Sequence, residues 1–196
     1  MSTREMETVL NQGEKRVVEV KEKKGLSLSD VMLIGILLAA GAVLKFFVGS
    51  VINFGMKPNF IIAMYCLIVL LIRPKVKEAV IIGILAGAIC QFFPGTPYIN
   101  FVSEILGAVT MCLLTKIKLP VKNAADIVIK TTVNTFLSTL VSGFAFVGMM
   151  YLLFYTGANV TPTPLAIFLG IIFGTATINA VIVLVLYPPL KRVLKK

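Results

Sequence analysis

The sequence predicts an all-α integral membrane protein, a bundle of six transmembrane helices with both termini in the cytoplasm. Of its 196 residues, 58% are hydrophobic and only 14% are charged, and the mean hydropathy is +0.95. A soluble domain of this length would not carry so much apolar surface. The apolar residues form six runs, and the positive charges collect in the tails and in alternate connections. This placement orients membrane helices, so the net charge of +10 does not indicate a nucleic-acid binder.

Residues 1–29 are polar, with basic and acidic side chains nearly in balance. They contain no apolar core followed by a cleavage site, so they do not form a signal peptide. We expect a mobile cytoplasmic tail here, with a short amphipathic helix as the alternative. The six-helix membrane domain is predicted to occupy residues 30–196.

The first two spans are predicted at about 30–49 and 60–72. In the first, Gly35 and Ala39 lie one turn apart on one face, where small residues let helices approach closely in lipid. The second has 13 residues, about 20 Å of helix, which is short for a hydrocarbon core about 30 Å thick. Part of the turn-rich connection at 51–59 is therefore predicted to dip into the membrane plane.

The third span is predicted at about 79–92, with Gly83 and Gly87 as another pair for close helix approach. The last three spans are predicted at about 100–115, 126–155 and 165–187. The fifth is so long that it must tilt, bend or project beyond the lipid. The sixth is predicted to end at a pair of prolines that follows residue 187.

The distribution of positive charge orients this bundle. In a six-span arrangement, every lysine and arginine except Lys45 and Lys57 falls on one side. The positive-inside rule places that side, and with it both termini, in the cytoplasm. Lys45 and Lys57 lie near the first external loop, which shares the outer face with the loop before the fourth span.

That second loop and the helix turn after it, residues 92–104, read FFPGTPYINFVSE. Its prolines and glycine break regular structure, so the aromatic side chains come off a shaped loop. Glu104 is the only acidic residue well inside any predicted span. An unpaired acid at membrane depth costs roughly 2.5–3.5 kcal/mol on insertion scales, so Glu104 marks a candidate functional site.

An acid, a base, amides and aromatic rings on one face would suit a small molecule that is partly flat and partly charged. One hypothesis is a zwitterion whose carboxylate meets Lys57 and whose ammonium meets Glu104. Structural alternatives remain open: the rings can belong to an aromatic belt, and the two charges can pair with each other. The predicted substrate site comprises Lys57, Asn59, Phe92, Phe93, Tyr98, Asn100 and Glu104, with Asn179 of the sixth span facing the same pocket.

Catalytic, metal and cofactor chemistry is disfavoured. Histidine is absent, and the three cysteines lie inside apolar runs without metal-site spacing, as small core residues do. There is no P-loop or dinucleotide-binding motif, so the chain does not hydrolyse ATP itself. We predict a protein that is not an enzyme and binds no metal or cofactor. A solitary secondary transporter or channel is the alternative to a subunit that borrows ATP hydrolysis, although a single deep acid offers little for a proton relay.

Four stretches of the chain resemble the tryptophan-transporter family, which belongs to the substrate-binding S components of energy-coupling factor transporters. The resemblance covers residues 30–193. It implies a six-helix bundle in a bacterial plasma membrane, and partners comprising one transmembrane coupling protein and two ATPases. Small residues on the first helix of such proteins dock on the coupling protein, and Gly35 and Ala39 are the matching positions. The stretches are Gly41-Ala-Val-Leu44, Gly55-Met-Lys-Pro-Asn59, Phe93-Pro-Gly95 with Asn100, and Ile178-Asn179 with Tyr187-Pro188.

Two positions depart from the family pattern. Asn59 stands where the family usually has Asp after Lys-Pro, and Ser103-Glu104 stands where an Asp-Lys pair is expected. Both departures change the charge at the predicted pocket, so they leave the substrate open. Tryptophan or a related aromatic amino acid is the first expectation, and a water-soluble vitamin is the second.

Overall fold

The computed structural model describes residues 25–51, 58–93, 98–117, 123–158, 160, 162 and 164–194. Within these residues the chain forms six helices and no strand, which confirms the all-α prediction. Residues 1–24 of the predicted tail lie outside the described residues, as does Lys57. The helices are α1 (Leu28–Val51), α2 (Ile61–Ile72), α3 (Val76–Cys90), α4 (Ile99–Lys116), α5 (Ala124–Tyr155) and α6 (Leu165–Val193).

Four of these helices, α1, α4, α5 and α6, are long and apolar enough to cross a membrane. Helix α2 is apolar but has only 12 residues, and α3 has 15. At 1.5 Å per residue they measure roughly 18 and 22 Å, less than a hydrocarbon core of about 30 Å. The chain is therefore a multi-pass helical membrane protein, while the count of six spans stays a prediction.

Helix α2 is the centre of the bundle. Every side chain from Ile61 to Val69 is at most 3% exposed, and α2 contacts each of the other five helices. Its sequence is apolar on all faces, as a helix surrounded by other helices requires. Around it, α3, α4, α5 and α6 pack in succession, and α1 packs against α2 and α3.

Two glycines let α3 lie very close to α4. A Cβ at Gly83 would lie 2.6 Å from the Cα of Ile105, and one at Gly87 would lie 2.9 Å from the Cα of Phe101. Both separations are shorter than side chains tolerate, so only glycine allows this approach. The prediction that Gly83 and Gly87 allow close helix approach is confirmed. Their contacts fix the position of α4, which carries Glu104, relative to α3.

Helix α6 is longer than the sequence predicted, because it continues through Pro188 and Pro189 to Val193. Each proline lacks the N–H that would bond to the preceding turn. Regular bonding then resumes, since the Leu194 N–H donates to the carbonyl of Leu190 at 3.0 Å. Both leucines pack against the main core, and this burial offsets the missing bonds.

The segment just before α2 lies deep between the long helices. The side-chain nitrogen of Asn179 donates to the backbone carbonyl of Asn59 at 3.1 Å. Asn179 follows Leu165, the first residue of α6, by fourteen residues, or about 21 Å of helix. Asn59 therefore lies near the middle of α6, which supports the predicted dip of its loop into the membrane plane.

Candidate functional site

Glu104 lies in a buried polar cluster at the inner end of that dip. Its side chain is 1% exposed, and its Oε1 accepts a hydrogen bond from the Asn59 Nδ2 at 2.6 Å. Its Oε2 has no hydrogen-bond partner among the described residues. A buried carboxylate oxygen without a donor is costly, so a ligand donor at this position would be strongly favoured.

Asn59 joins four helices through this cluster. Its side chain bonds Glu104 of α4, and its backbone carbonyl accepts from Asn179 of α6. Its Nδ2 also lies 3.7 Å from the sulfur of Cys90, the last residue of α3. Because Asn59 lies two residues before Ile61, the first residue of α2, the cluster ties the start of the central helix to three of its neighbours.

Lys45 of α1 supplies the positive charge. The side chain is 7% exposed; its Nζ donates to the Cys90 sulfur at 3.2 Å and lies 5.0 Å from the centroid of the Phe93 ring. No carboxylate of the described residues lies within 4.0 Å of this nitrogen. Lys45 and Glu104 interact electrostatically over a longer distance. The cluster therefore contains two buried charges of opposite sign that are not in direct contact.

Further unpartnered polar atoms surround the cluster. Asn179 is fully buried, and its Nδ2 donates to Asn59 and, at 3.5 Å, to the hydroxyl of Thr139. Its Oδ1 has no partner within the described chain, and the same holds for the buried hydroxyls of Tyr65 and Thr175. Protein interiors rarely leave such groups unpaired. The Asn179 side chain belongs to the cluster through Asn59, and Tyr65 lies within electrostatic range of Glu104, which makes the cluster a candidate binding site.

Helix α5 borders the cluster with a polar stripe. Six buried Ser, Thr and Asn side chains recur at helical spacing at positions 131, 134, 135, 138, 139 and 142. The Ser138 hydroxyl donates to the Gly107 carbonyl of α4 at 2.9 Å, while Thr135 and Thr139 bond back to their own helix. Such residues join helices in lipid. Helix packing therefore explains the stripe without a ligand.

The structure brings three of the predicted site residues together, namely Asn59, Glu104 and Asn179. Phe93 borders the same cluster through its contact with Lys45. Asn100 is half-buried in the first turn of α4, where its carbonyl accepts from the Ser103 hydroxyl at 3.3 Å. A substrate role for each of these residues stays a prediction.

The remaining predicted residues lie elsewhere. Phe92 is 87% exposed and Tyr98 is 75% exposed, so neither side chain belongs to the buried cluster. The Tyr98 N–H donates to the Oε1 of Gln91, whose Nε2 donates to the Gly87 carbonyl, each at 3.2 Å. These bonds hold the end of α3 against the start of α4. Lys57 lies outside the described residues, so its role also stays a prediction.

Lys45 and Cys90 were missed by the sequence analysis. Like Glu104, Lys45 is an ionisable residue inside an apolar run, and this is the signal that singled out Glu104. The count of positive charges assigns Lys45 to the outer side near the external loop, whereas the structure buries its side chain against Cys90 and Phe93. Cys90 is free and buried, as predicted for a core residue, but its sulfur contacts Lys45 and Asn59. No local pattern indicates that polar contact.

The predicted docking residues Gly35 and Ala39 lie on the outside of α1. Both are exposed, and a Cβ at Gly35 would meet no atom within 4 Å. Gly41 differs, because a Cβ there would lie 2.8 Å from Met64 and 3.1 Å from the Cα of Ile61. Gly41 therefore serves packing within the bundle, whereas Gly35 and Ala39 are exposed on the surface of α1.

Comparison with known proteins agrees with these features. Residues 27–195 match the sequence model of a family described as "Tryptophan transporter TrpP". A protein of Clostridium acetobutylicum described as "Probable tryptophan transport protein" is 27% identical over 170 residues, which cover 85% of this chain and 94% of that protein. No solved structure matches the chain.

Proposed function

The chain belongs to the tryptophan transporter TrpP family, and from this premise we propose that it is the high-affinity substrate-binding subunit of an ATP-driven energy-coupling factor uptake transporter. The family is one of transporters, so the chain is a multi-pass membrane transport protein and not an enzyme. The substrate is tryptophan or a related aromatic amino acid, in preference to a water-soluble vitamin. Six spans with both termini in the cytoplasm are part of this proposal.

The observation that carries the proposal is the buried cluster of Asn59, Glu104 and Asn179. Its unpartnered atoms include a carboxylate oxygen and an amide oxygen, both of which accept hydrogen bonds. Tryptophan brings two kinds of donor, an ammonium group and an indole N–H. Few deeply buried sites would otherwise retain a carboxylate with an oxygen left without a donor.

The partners belong to the same proposal. The chain has no nucleotide-binding motif, so ATP hydrolysis is supplied by two separate ATPase subunits. The exposed surface at Gly35 and Ala39 is where the transmembrane coupling protein docks, since small residues allow the close backbone approach that helix association in lipid favours.

Mass spectrometry of small molecules retained after purification in detergent tests the substrate. We expect tryptophan to be retained and calorimetry to rank it above phenylalanine, tyrosine and a panel of water-soluble vitamins. Retention of a vitamin, with no measurable heat from any aromatic amino acid, would refute the amino-acid assignment.

A further inference from the structure

We propose that Lys45 and Glu104 are the two charged ends of the substrate site, with Lys45 binding the carboxylate and Glu104 the ammonium of a zwitterionic amino acid. This inference rests on the proposed function, because it concerns the same substrate. It assigns the cation to a residue of α1 and not to Lys57.

The first argument is that both charges are buried without a compensating charge in contact. Lys45 is 7% exposed and Glu104 is 1% exposed. The Lys45 ammonium has a thiol sulfur and an aromatic ring beside it, and Glu104 accepts a hydrogen bond from the Asn59 amide, with the neutral hydroxyls of Ser103 and Ser142 nearby. Burying single charges is unfavourable unless they are paired and fully hydrogen-bonded. A ligand that carries both signs would compensate the two together.

The second argument is the spacing. A row of two neutral groups separates the charges: the Cys90 sulfur is 3.2 Å from Lys45 Nζ, and Asn59 Nδ2 lies 3.7 Å further along. The same nitrogen is 2.6 Å from Glu104 Oε1. The two charges therefore meet only through neutral groups. An α-amino-acid head group carries its ammonium and its carboxylate on a single carbon, so one ligand can present a charge of opposite sign to each of them.

The third argument is that the surroundings match the rest of an aromatic amino acid. The Phe93 ring lies beside Lys45, where it offers an apolar face to a ligand ring. The Oδ1 of Asn179, whose Nδ2 bonds the Asn59 carbonyl, is an unpartnered acceptor, and an indole N–H is a donor only. The cluster thus offers an acceptor to each ligand donor and a donor to the ligand carboxylate.

Calorimetry on the purified full chain tests this with L-tryptophan, tryptamine, which lacks the carboxylate, and indole-3-propionate, which lacks the ammonium. Stranding a buried charge weakens binding about 30- to several-thousand-fold. Lys45→Met is expected to weaken L-tryptophan and indole-3-propionate by such a factor, and tryptamine by less than about threefold. Glu104→Gln is expected to weaken L-tryptophan and tryptamine, and to leave indole-3-propionate nearly unchanged. Analogues too weak for calorimetry are compared by the ligand-dependent rise in unfolding temperature.

Lys191→Met is the matched control. Lys191 also lies over an aromatic ring, 5.6 Å from the centroid of Tyr187, but at the far end of α6, so binding of all three ligands stays unchanged. If Lys45→Met does not fold, Lys45→Gln replaces it: the amide keeps a hydrogen-bond donor but removes the charge, and the expected loss is again confined to ligands that carry a carboxylate.

Three outcomes are informative beyond the expected one. An equal loss for all ligands would overturn the inference, since the two charges would then hold the bundle and not the ligand. A carboxylate-selective loss in Lys57→Met but not in the Lys45 variants would also overturn it. Failure of the unchanged protein to bind any aromatic amino acid would refute the proposed function itself, before any variant is compared.

Discussion

At the scale of single residues, the structure brings together Asn59 and Glu104, which both lie where the family resemblance leads us to expect other residues. The resemblance predicts Asp at position 59 and an Asp-Lys pair at positions 103 and 104, whereas this chain has Asn59 and Ser103-Glu104. The structure places the Asn59 Nδ2 2.6 Å from the Glu104 Oε1. The two side chains are therefore coupled by an amide–carboxylate hydrogen bond, where the expected residues would instead set Asp against Lys.

This coupling predicts the outcome of a charge exchange. Asn59→Asp alone sets two carboxylates against each other in a buried site and is expected to destabilise the protein by about 3 kcal/mol or more. The double variant Asn59→Asp with Glu104→Lys restores an ion pair and should recover most of that loss. Unfolding temperatures in detergent measure both. Simple additivity of the two single changes would show that the side chains do not interact.

The residues of this site differ in how far sequence could identify them. Glu104 stood out because an acid inside an apolar run is rare, and Asn59 and Asn179 lay in stretches that carried the family resemblance. Lys45 and Cys90 are 45 positions apart, and only the packing of α1 on α3 brings them together. Hydropathy also gave no sign of the α5 stripe, because single Ser and Thr residues hardly change the average over an apolar span.

At the scale of helices, the sequence predicted well which helices exist and in what order, and predicted less well where each helix ends. At most connections the helices start and stop beside glycine, proline or a cluster of charged residues. There the local sequence decides where a helix ends. The end of α6 was wrong because Leu190 and Leu194 gain more from packing on the core than the two prolines cost. The predicted second segment is a short helix, as expected: α2 has 12 residues and is apolar on all faces, as a helix surrounded by other helices requires. That it spans the membrane stays a prediction.

A glycine comparison tests the interface between α3 and α4. Gly83→Ala is expected to destabilise the bundle by about 1–3 kcal/mol, because the added methyl meets backbone atoms of α4 that cannot rotate away. Gly170→Ala is the control: its Cβ meets nothing within 4 Å, and alanine favours a helix by up to about 1 kcal/mol. Equal unfolding temperatures for the two variants would mean that α3 and α4 lie further apart than described.

At the scale of the whole molecule, substitutions at the exposed residues Gly35 and Ala39 of α1 can distinguish assembly with the partner subunits from substrate binding. Gly35→Leu or Ala39→Leu is expected to abolish tryptophan uptake by cells that contain the partner subunits, and to leave binding by the isolated chain intact. The reason is that both positions are exposed and a Cβ at Gly35 meets no atom within 4 Å, while a bulky side chain there would block the approach of another helix. Gly170→Leu, a bulky residue at an open position of α6, should leave uptake unchanged. Loss of binding together with uptake would show that the pair is needed for the fold.

The positions of the buried charges bear on the proposed source of energy. Among the described residues, the buried acidic and basic side chains are Asp30, Lys45 and Glu104. Asp30 caps the start of α1 by accepting from Ser27, at the end of the bundle opposite the site. Between it and Glu104 the described interior offers the neutral hydroxyls and amides of the α5 stripe. Proton-driven transporters use series of ionisable groups to move protons through the membrane, and the described residues contain no such series.

Uptake should therefore depend on ATP hydrolysis by a separate protein. The purified chain in liposomes is expected to bind tryptophan but not to accumulate it when a proton or sodium gradient is imposed. Liposomes that also contain the coupling protein and ATPases recovered with the chain by affinity purification should accumulate it only when ATP is supplied on the ATPase side. Accumulation by the chain alone, at a rate that follows the imposed gradient, would contradict the dependence and identify a solitary carrier. Because binding is measured on the same liposomes, a misfolded preparation is recognised by its failure to bind, and only a chain that binds without accumulating supports the ATP-dependent subunit.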